Sequence, residues 1–306
     1  MSLQVRGLFR RFGNRTAVEG LTFDVAPGEV FGLLGPNGAG KTTTVRMLTG
    51  LIAPTGGEAV VCGEKIPLID EGSTLRRKVG LLTEQPGLYD RLTARENLQF
   101  FIRLNSLDET SAWARCLRYL KRFGLDGRED EPVGTYSKGM RQKLAIVRTL
   151  VHEPQVLFLD EPTSGLDPES ARTVRDAVAE LASEGRTLVL CSHNLGEIER
   201  LCTRVAVIKN RLRTVASLKD LRKQGTALDI RVEGEASRFV ASLGSLPFAP
   251  NVLHEGSALK VMLTADDQAP AVVECLVKAG ARVFQVTTAA RPLEEAYLEL
   301  VREGDT

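Results

Sequence analysis

An apolar, strand-like run, Val30–Leu34, leads directly into the segment Gly-Pro-Asn-Gly-Ala-Gly-Lys-Thr-Thr at residues 35–43. This segment fits the pattern G-x-x-x-x-G-K-[ST] at every specified position. Glycines let successive backbone N–H groups turn inward and form a concavity for an anion, and the following helix places its positive dipole end behind it. A glycine-rich turn that served packing alone would not need the Lys-Thr pair. The segment therefore predicts a strand–loop–helix unit that binds a nucleoside triphosphate.

The side chains of this loop are expected to share the binding of the phosphates with the backbone. Lys41 is a compact cation that can reach the β- and γ-phosphates. The Thr42 hydroxyl is expected to complete the shell of a Mg²⁺ ion, and Thr43 to donate to a further phosphate oxygen. The predicted nucleotide-binding residues of the loop are Gly35, Pro36, Asn37, Gly38, Ala39, Gly40, Lys41, Thr42 and Thr43.

Length and composition limit the class of protein. The chain has 306 residues, more than a single core usually holds, so two domains are expected. The net charge is +1 without a long run of one sign, which argues against nucleic acid as a partner. The five cysteines form no C-x-x-C pair, a pattern typical of free thiols in a reducing compartment. With no signal-peptide pattern and no apolar run of membrane-spanning length, we expect a cytoplasmic protein whose membrane role depends on a partner.

Hydrophobic periodicity predicts the elements around the loop. Residues 3–34 read as short strands of an antiparallel sheet, the first helix is expected at 42–49, and a turn-rich stretch at 54–63. Further on, the chain alternates between buried runs and helical periodicity, which gives a βαβ layout around a parallel sheet. The predicted buried strands are 79–82, 155–159 and 187–191. The predicted helix between the last two of them is 169–184.

Helix is expected to dominate the segment of about 88–150. Thr93 is expected to cap the first of these helices. Spacings of three and four predict a stripe that packs against the rest of the protein. The residues of this predicted packing stripe are Trp113, Leu117, Leu120 and Phe123.

After about Asn210 the pattern changes to the order βαββαβα. The predicted strands are 228–233, 251–254, 259–263 and 282–286, and the predicted helices are 237–243, 270–278 and 293–301. A small α+β domain is therefore expected at 216–306. It contains no chemical motif, so we expect a role in association, with a lid that completes the fold as the alternative.

Two carboxylates, Asp160 and Glu161, end the apolar run Val156–Leu159. Asp160 is placed to hold Mg²⁺ through its water shell, and Glu161 would then face the γ-phosphate. A carboxylate there can orient and polarise the attacking water, and phosphoryl transfer depends mainly on alignment and charge stabilisation. An acidic pair at a strand end is common, but its occurrence with the downstream segment Pro162–Asp167 is not.

Together these motifs resemble those of the ATP-binding cassette ATPases of ABC transporters, over about residues 1–215. The resemblance implies an α/β P-loop fold with an antiparallel β subdomain, a parallel-sheet core and a helical subdomain at about 88–150. It also implies that Glu161 is the catalytic carboxylate and that His193 is the switch histidine near the γ-phosphate. The residues that look like the loop crossing the dimer interface of that family are Ser164, Gly165, Leu166 and Asp167.

A second segment, Tyr-Ser-Lys-Gly-Met, is similar to the signature sequence of that family, which contacts the ATP held by the opposite subunit. Tyr136 replaces the usual leading Leu, Lys138 replaces the first of two glycines, and Met140 replaces a Gln. Ser137 and the backbone of Gly139 remain, and both can donate hydrogen bonds to a γ-phosphate from the start of a helix. We expect Lys138 to point to solvent or to add positive charge.

Two further positions follow from the resemblance. Phe12 resembles the aromatic residue that stacks on adenine. At the position of Glu84, that family has a Gln that senses Mg²⁺ and couples to the membrane partner. In this chain Glu84 takes that position, and Gln85 follows one residue later. A Glu can still bind the metal as an oxygen ligand. The expected metal ligands are thus Thr42, Asp160 and Glu84, with Gln85 as the alternative to Glu84.

The resemblance also implies an activity and partners. It implies an ATPase that uses ATP and Mg²⁺, in which two cassettes, expected to be identical chains, meet head to tail. Their motion would drive a separate integral membrane permease, which would hold the protein on the inner face of the cell membrane. The tail, residues 291–300, looks like that of ATP-binding subunits of drug or antibiotic exporters. The alternatives are a soluble ABC ATPase not coupled to transport and a regulatory nucleotide-binding module.

Overall fold

A computed structural model describes the residues 1–66, 73–223, 226–248, 251–263, 265–290 and 293–302. By their internal contacts, the residues group into two units, Met1–Val215 and Ala216–Thr306. The first unit carries the glycine-rich loop, the acidic pair Asp160 and Glu161, the signature-like segment and His193. The residues Arg291 and Pro292 of the exporter-like tail lie outside the described part of the chain.

Within the described residues, ten strands form one sheet whose order is β5-β4-β1-β2-β10-β9-β3-β8-β7-β6. The strands are β1 Leu3–Phe12, β2 Arg15–Val25, β3 Val30–Leu34, β4 Gly56–Val61, β5 Glu64–Ile66, β6 Val79–Leu82, β7 Val156–Asp160, β8 Thr187–Ser192, β9 Arg204–Lys209 and β10 Arg211–Ser217. The strands β1, β2, β4 and β5 pair antiparallel, and β3 pairs in parallel with β8 and β9. The strands β3, β7 and β8 are buried at every position, and their sequences are mainly apolar without alternation. Polar residues stand only at the strand ends, at Asp160, Thr187 and Ser192.

The sequence interpretation of two segments in this sheet is wrong. The last strand of 3–34, β3, belongs to the parallel core and not to the antiparallel sheet. The stretch 54–63, expected to be turns, contains β4, which pairs antiparallel with β1. Gly56 is the first residue of β4 and pairs with Phe9 of β1. A Cβ atom on Gly56 would collide with the ring of Phe9, so this position requires glycine. In this strand the glycine marks a close approach and not a turn.

Seven helices lie along the described part of the first unit. They are α1 Lys41–Leu48, α2 Ser73–Lys78, α3 Ala94–Leu104, α4 Glu109–Arg122, α5 Lys138–Leu150, α6 Pro168–Ser183 and α7 Leu195–Leu201. The predicted cap at Thr93 is confirmed, because its hydroxyl accepts the N–H of Glu96 and the Glu96 carboxylate accepts the N–H of Thr93. This reciprocal pair satisfies two backbone donors at the start of α3.

The packing stripe predicted on α4 is partly wrong. Leu117 is 40% exposed, and Trp113 packs its ring against the Arg95 guanidinium at 4.5 Å. Leu117 follows the buried Cys116 by one residue, a rotation of about 100° around the helix axis, and this rotation turns it away from the core. The side chains of this region that are buried are Ala112, Cys116, Tyr119, Leu120 and Phe123.

The second unit contains a sheet of four described strands in the order β12-β13-β11-β14. The elements are α8 Leu218–Lys223, β11 Thr226–Val232, α9 Val240–Gly244, β12 Val252–Glu255, β13 Ala258–Leu263, α10 Ala269–Lys278, β14 Val283–Ala290 and α11 Leu293–Arg302. From β11 onward, their order confirms the predicted βαββαβα, and α8 was not expected. Alternate residues of β11 and β13 face a core that α10 covers, as Ile230, Val261 and Leu276 show.

Candidate functional site

A cavity of about 520 Å³ lies in the first unit, where the chain leaves β3, β7 and β8. Ligands of α/β proteins bind at the carboxyl ends of parallel strands, because the loops there converge. The end of β1 and the start of β2 line one side of the cavity. Its lining residues are Phe12, Arg15, Ala17, Pro36, Asn37, Gly38, Ala39, Gly40, Lys41, Thr42, Thr43, Glu84, Glu161, Ser164 and His193.

The glycine-rich loop passes close to β2 before α1 begins. Gly40 has a φ of 98°, and a Cβ atom on it would lie 2.7 Å from the carbonyl oxygen of Ala17. Only glycine fits both the backbone conformation and the space. Lys41 follows as the first residue of α1, so the start of this helix faces the cavity. The loop thus has the geometry that an anion site at a helix N-terminus requires.

Lys41 is the buried cation of the cavity. It is 5% exposed, and its Nζ donates to the carbonyl oxygens of Gly35 at 2.7 Å and Pro36 at 3.2 Å. The same Nζ lies 3.4 Å from Oε1 of Glu161. Because the ammonium is held by the loop itself, it is already beside the place where the phosphates are expected.

Glu161 and His193 form the centre of the site. The backbone N–H of His193 donates to Oε1 of Glu161 at 3.1 Å, and His193 Nδ1 lies 2.9 Å from the same oxygen. Glu161 has a φ of 50°, in the left-handed region that is unfavourable for a residue with a side chain. Its own N–H donates to the carbonyl oxygen of Cys191 in β8 at 2.9 Å. Neighbouring strands β7 and β8 therefore bring together two residues that are 32 positions apart.

A buried carboxylate beside the loop fits a divalent cation. Asp160 is 2% exposed, and its Oδ1 has no hydrogen-bond partner among the described residues. Burial raises the pKa of Asp160, and a hydrogen bond with Thr42 lowers it again in part. An oxygen pair of carboxylate and hydroxyl, with one buried oxygen unsatisfied, matches the ligands that Mg²⁺ takes beside a phosphate.

Comparisons with known proteins decide the family. A family model described as ABC transporter matches residues 18–164. The chain is also 34% identical to the uncharacterized ABC transporter ATP-binding protein YhcH of Bacillus subtilis, over 98% of this chain and 96% of that protein. The chain belongs to the ABC transporter ATP-binding proteins.

Two further comparisons agree with this cassette family. The chain is 41% identical to the fluoroquinolones export ATP-binding protein of Mycobacterium tuberculosis, over 76% of each chain. A solved structure of the ATP binding subunit of an ABC transporter has 33% identity and a TM-score of 0.67, over 73% of this chain and 93% of that one. The predicted family and P-loop cassette fold are confirmed, and the protein is the ATP-binding subunit of a transporter. None of the helices in its described ranges has both the length and the apolarity to cross a membrane.

The two candidates for a metal sensor differ in their positions. Glu84 lines the cavity of the cassette, and its negative charge contributes to the raised pKa of Asp160. Gln85 is not among the described residues that line the cavity, and its backbone carbonyl accepts the Thr83 hydroxyl at 2.6 Å. The geometry therefore favours Glu84, while its role toward a metal stays a prediction.

The segment that resembles the family signature lies apart from this cavity. Ser137 caps α5, since its Oγ accepts the N–H of Met140 at 3.2 Å. A Cβ atom on Gly139 would collide with the side chain of Ser170, which explains why this position needs glycine. Neither Ser137, Lys138 nor Gly139 is among the described residues that line the cavity. Their roles toward ATP therefore stay predictions.

Two unusual residues of the signature have structural partners. Tyr136 is 5% exposed, and its hydroxyl donates to the carbonyl oxygen of Arg128 at 2.6 Å. Lys138 is exposed, as expected, but its Nζ also lies against Gly165, where a Cβ atom would collide with it. The signature segment thus contacts the predicted interface loop of the same chain.

The predicted interface loop leads from the cavity to α6. Ser164 lines the cavity, and Leu166 is half-buried. Asp167 caps α6, because its Oδ1 accepts the N–H of Ser170 at 2.9 Å. This backbone hydrogen bond lowers the pKa of Asp167. Whether the loop contacts a second cassette stays a prediction.

Sequence reasoning missed two residues at the start of β2. Arg15 and Ala17 line the cavity beside Phe12, and the Arg10 guanidinium lies 4.6 Å from the centre of the Phe12 ring. A cation over one face of the ring leaves the other face for a stacked base. The sequence signal was the short distance in the chain between Phe12 and Arg15.

Proposed function

We propose that this cassette hydrolyses ATP, with Glu161 as the residue that orients and activates the attacking water. The observation that carries the proposal is the meeting of Lys41, Glu161 and His193 at the cavity, with distances of 2.9–3.4 Å to Glu161 Oε1. Phosphoryl transfer requires alignment and charge stabilisation more than covalent chemistry. Glu161 supplies a proton acceptor, and His193 fixes its direction. Lys41 supplies positive charge where the β- and γ-phosphates are expected.

Thr42, Asp160 and Glu84 are the residues that would hold Mg²⁺. The unsatisfied Oδ1 of Asp160 and its hydrogen bond with Thr42 support this assignment. When bound, the ion would neutralise negative charge on the phosphate oxygens. The protein side of the site aligns the nucleotide, since the loop backbone holds the phosphates and Phe12 offers a ring face for adenine.

We propose further that two copies of the chain close head to tail on two ATP molecules. Support comes from the position of Ser137 and Gly139, which do not line the cavity of their own chain. Both lie at the start of α5, where Ser137 is exposed and the buried Gly139 follows the exposed Lys138. A second copy can bring this helix start to the nucleotide. ATP would bind the closed pair better than the separated chains, so that binding shifts the equilibrium to closure and hydrolysis reverses it.

The expected partner of the pair is a separate integral membrane permease on the inner face of the membrane, and the expected direction of transport is export. The relative named as a fluoroquinolones export ATP-binding protein supports this direction. Tagged protein purified from native membranes is expected to bring down one polytopic membrane protein, which raises its ATPase rate. Recovery of soluble partners alone would contradict the proposed permease partner.

Ser137→Glu is expected to separate ATP binding from hydrolysis. In a single chain Ser137 lies outside the cavity, so the Kd for ATP at low protein concentration is expected to stay within about two-fold of the native value. In the head-to-tail pair, the new carboxylate would face the γ-phosphate of the partner's ATP. We expect the hydrolysis rate to fall by about 10-fold or more, since like charges in contact are strongly unfavourable.

The matched control is Ser137→Thr, which keeps the hydroxyl and can still cap α5. It is expected to hydrolyse ATP at close to the native rate. Fluorescent ATP binding and phosphate release are measured on all three proteins. If Ser137→Glu weakens binding to the dilute single chain, or if it hydrolyses ATP like Ser137→Thr, the head-to-tail arrangement is wrong.

A further inference from the structure

The helix α7 carries a buried carboxylate directly behind the loop that holds His193. Glu197 is 2% exposed, and its Oε2 accepts a 3.0 Å hydrogen bond from the hydroxyl of the fully buried Ser192. Its Oε1 has no hydrogen-bond partner within the described ranges of the chain. Burial raises the pKa of Glu197, and the hydrogen bond from Ser192 opposes the rise only in part. A buried acid with an unsatisfied oxygen costs stability, and the hydrogen bond that its other oxygen accepts comes from the residue directly before His193.

Ser192, the residue before His193, links Glu197 to the backbone of Asn194, the residue after His193. Its Oγ donates to Glu197 and accepts the N–H of Asn194 at 2.9 Å. Asn194 in turn caps α7, because its side chain accepts the N–H of Gly196 at 3.0 Å. In a capping box, an acid at the third helical position accepts the N–H of the cap residue directly. Here the buried Ser192 hydroxyl stands between the Glu197 carboxylate and the N–H of Asn194, and it fixes the residues before and after His193.

The fixed backbone decides where His193 meets Glu161. The His193 side chain is 49% exposed, so packing alone does not hold it. One of its two contacts with Glu161 comes from the backbone N–H, whose position depends entirely on the loop. A displacement of about 1 Å at a reacting centre can lower a rate about 100-fold.

We propose that Glu197 is a positioning residue for hydrolysis, which acts through Ser192 to hold His193 against Glu161. The inference rests on the proposed ATPase function and adds to it a residue outside the nucleotide cavity. Glu197 and Ser192 are not among the described residues that line this cavity. The hydrogen bonds from Glu197 through Ser192 to Asn194, called the relay below, are therefore expected to affect the hydrolytic step and to leave nucleotide binding unchanged.

The test compares Glu197→Ala, Ser192→Ala and Glu197→Gln in the full chain. Glu197→Ala and Ser192→Ala are each expected to lower kcat by about 10- to 100-fold and to leave the Kd for ATP within about two-fold of native. Glu197→Gln is expected to keep at least about a third of the native kcat, because its amide oxygen can still accept the Ser192 hydroxyl. The double alanine variant is expected to be no slower than either single variant, since both break one relay.

The control for lost stability is Ile198→Ala. Ile198 is the next residue of α7, is fully buried, and packs near Gly32 of β3. This variant is expected to unfold at lower temperature and to keep the native kcat while folded. The inference is overturned if Glu197→Ala is as fast as Ile198→Ala, if Glu197→Gln is as slow as Glu197→Ala, or if Kd rises as kcat falls.

A second readout does not depend on hydrolysis. The chain has three histidines, so the imidazole resonances of His193 can be assigned with a His193→Gln variant. Glu161→Gln is expected to shift these resonances in the native background, because it removes a charge in contact with the ring. In the Glu197→Ala background, the shift is expected to vanish, and its persistence would overturn the inference. A native chain without hydrolysis would instead overturn the proposed function and leave this measurement valid.

Discussion

Glu161→Gln is expected to lower the rate of ATP hydrolysis by about 10²- to 10⁴-fold while the protein still binds ATP. The amide cannot take a proton from the attacking water, but its oxygen can still accept the hydrogen bond that His193 donates to Oε1 of Glu161 at 3.1 Å. The local structure is therefore kept while the base is lost. Since hydrolysis is the step that opens the proposed pair, ATP is expected to hold this variant as a dimer.

Phosphate release and light scattering after gel filtration check both parts of this prediction. Glu58→Gln is the matched control, because Glu58 is an exposed carboxyl of β4 outside the cavity. It is expected to behave as the native protein. A native rate for Glu161→Gln would remove Glu161 from the reaction, and a variant that binds ATP but stays monomeric would contradict the proposed pair.

Lys41→Ala is expected to raise the Kd for ATP by about 10- to 100-fold. Hydrogen bonds that involve a charged group contribute about 1.5–3 kcal/mol, and a tenfold change in affinity corresponds to about 1.4 kcal/mol. Lys41 is 5% exposed and lies 3.4 Å from Glu161 Oε1. Its removal therefore leaves both the phosphates and the Glu161 carboxylate without their nearest cation. Hydrolysis at low ATP concentration is expected to fall with binding.

Titration calorimetry with ATP measures this effect directly. Lys65→Ala is the control, because it removes an exposed lysine of β5 outside the cavity. Its Kd is expected to equal that of the native protein. If Lys41→Ala binds ATP as tightly as Lys65→Ala does, the glycine-rich loop is not the main phosphate site.

The parts of the site that could be predicted from the sequence are those whose residues stand at a fixed spacing from an apolar strand. Lys41 and Thr42 follow an apolar strand at a fixed spacing, and Asp160 and Glu161 end another. Parallel strands place their carboxyl ends at one edge of a sheet, so residues at those ends meet regardless of the chain between them. The contact of Glu161 with His193 is of this kind.

The rest depends on contacts that no local pattern encodes. The sequence predicts that Lys138 points to solvent or adds positive charge, and it does not predict that Lys138 lies against Gly165, which happens because the helices α5 and α6 begin side by side. Arg15 joins the cavity through the pairing of β1 with β2. The stripe on α4 was misplaced by one residue at Leu117, since apolar residues occur on more than one side of that helix and periodicity alone does not choose between them.

The left-handed backbone at Glu161 has a consequence for attempts to make this protein more heat-resistant. A side chain in that conformation costs about 1–2 kcal/mol that glycine would not, whereas Glu161→Gly also loses the contacts with Lys41 and with the His193 N–H. A screen that rewards survival at high temperature alone responds only to this balance of stability and does not test for the base. Such a screen can therefore accept variants that have lost Glu161, the proposed base. Laboratory evolution of the cassette therefore needs a selection for turnover at every round.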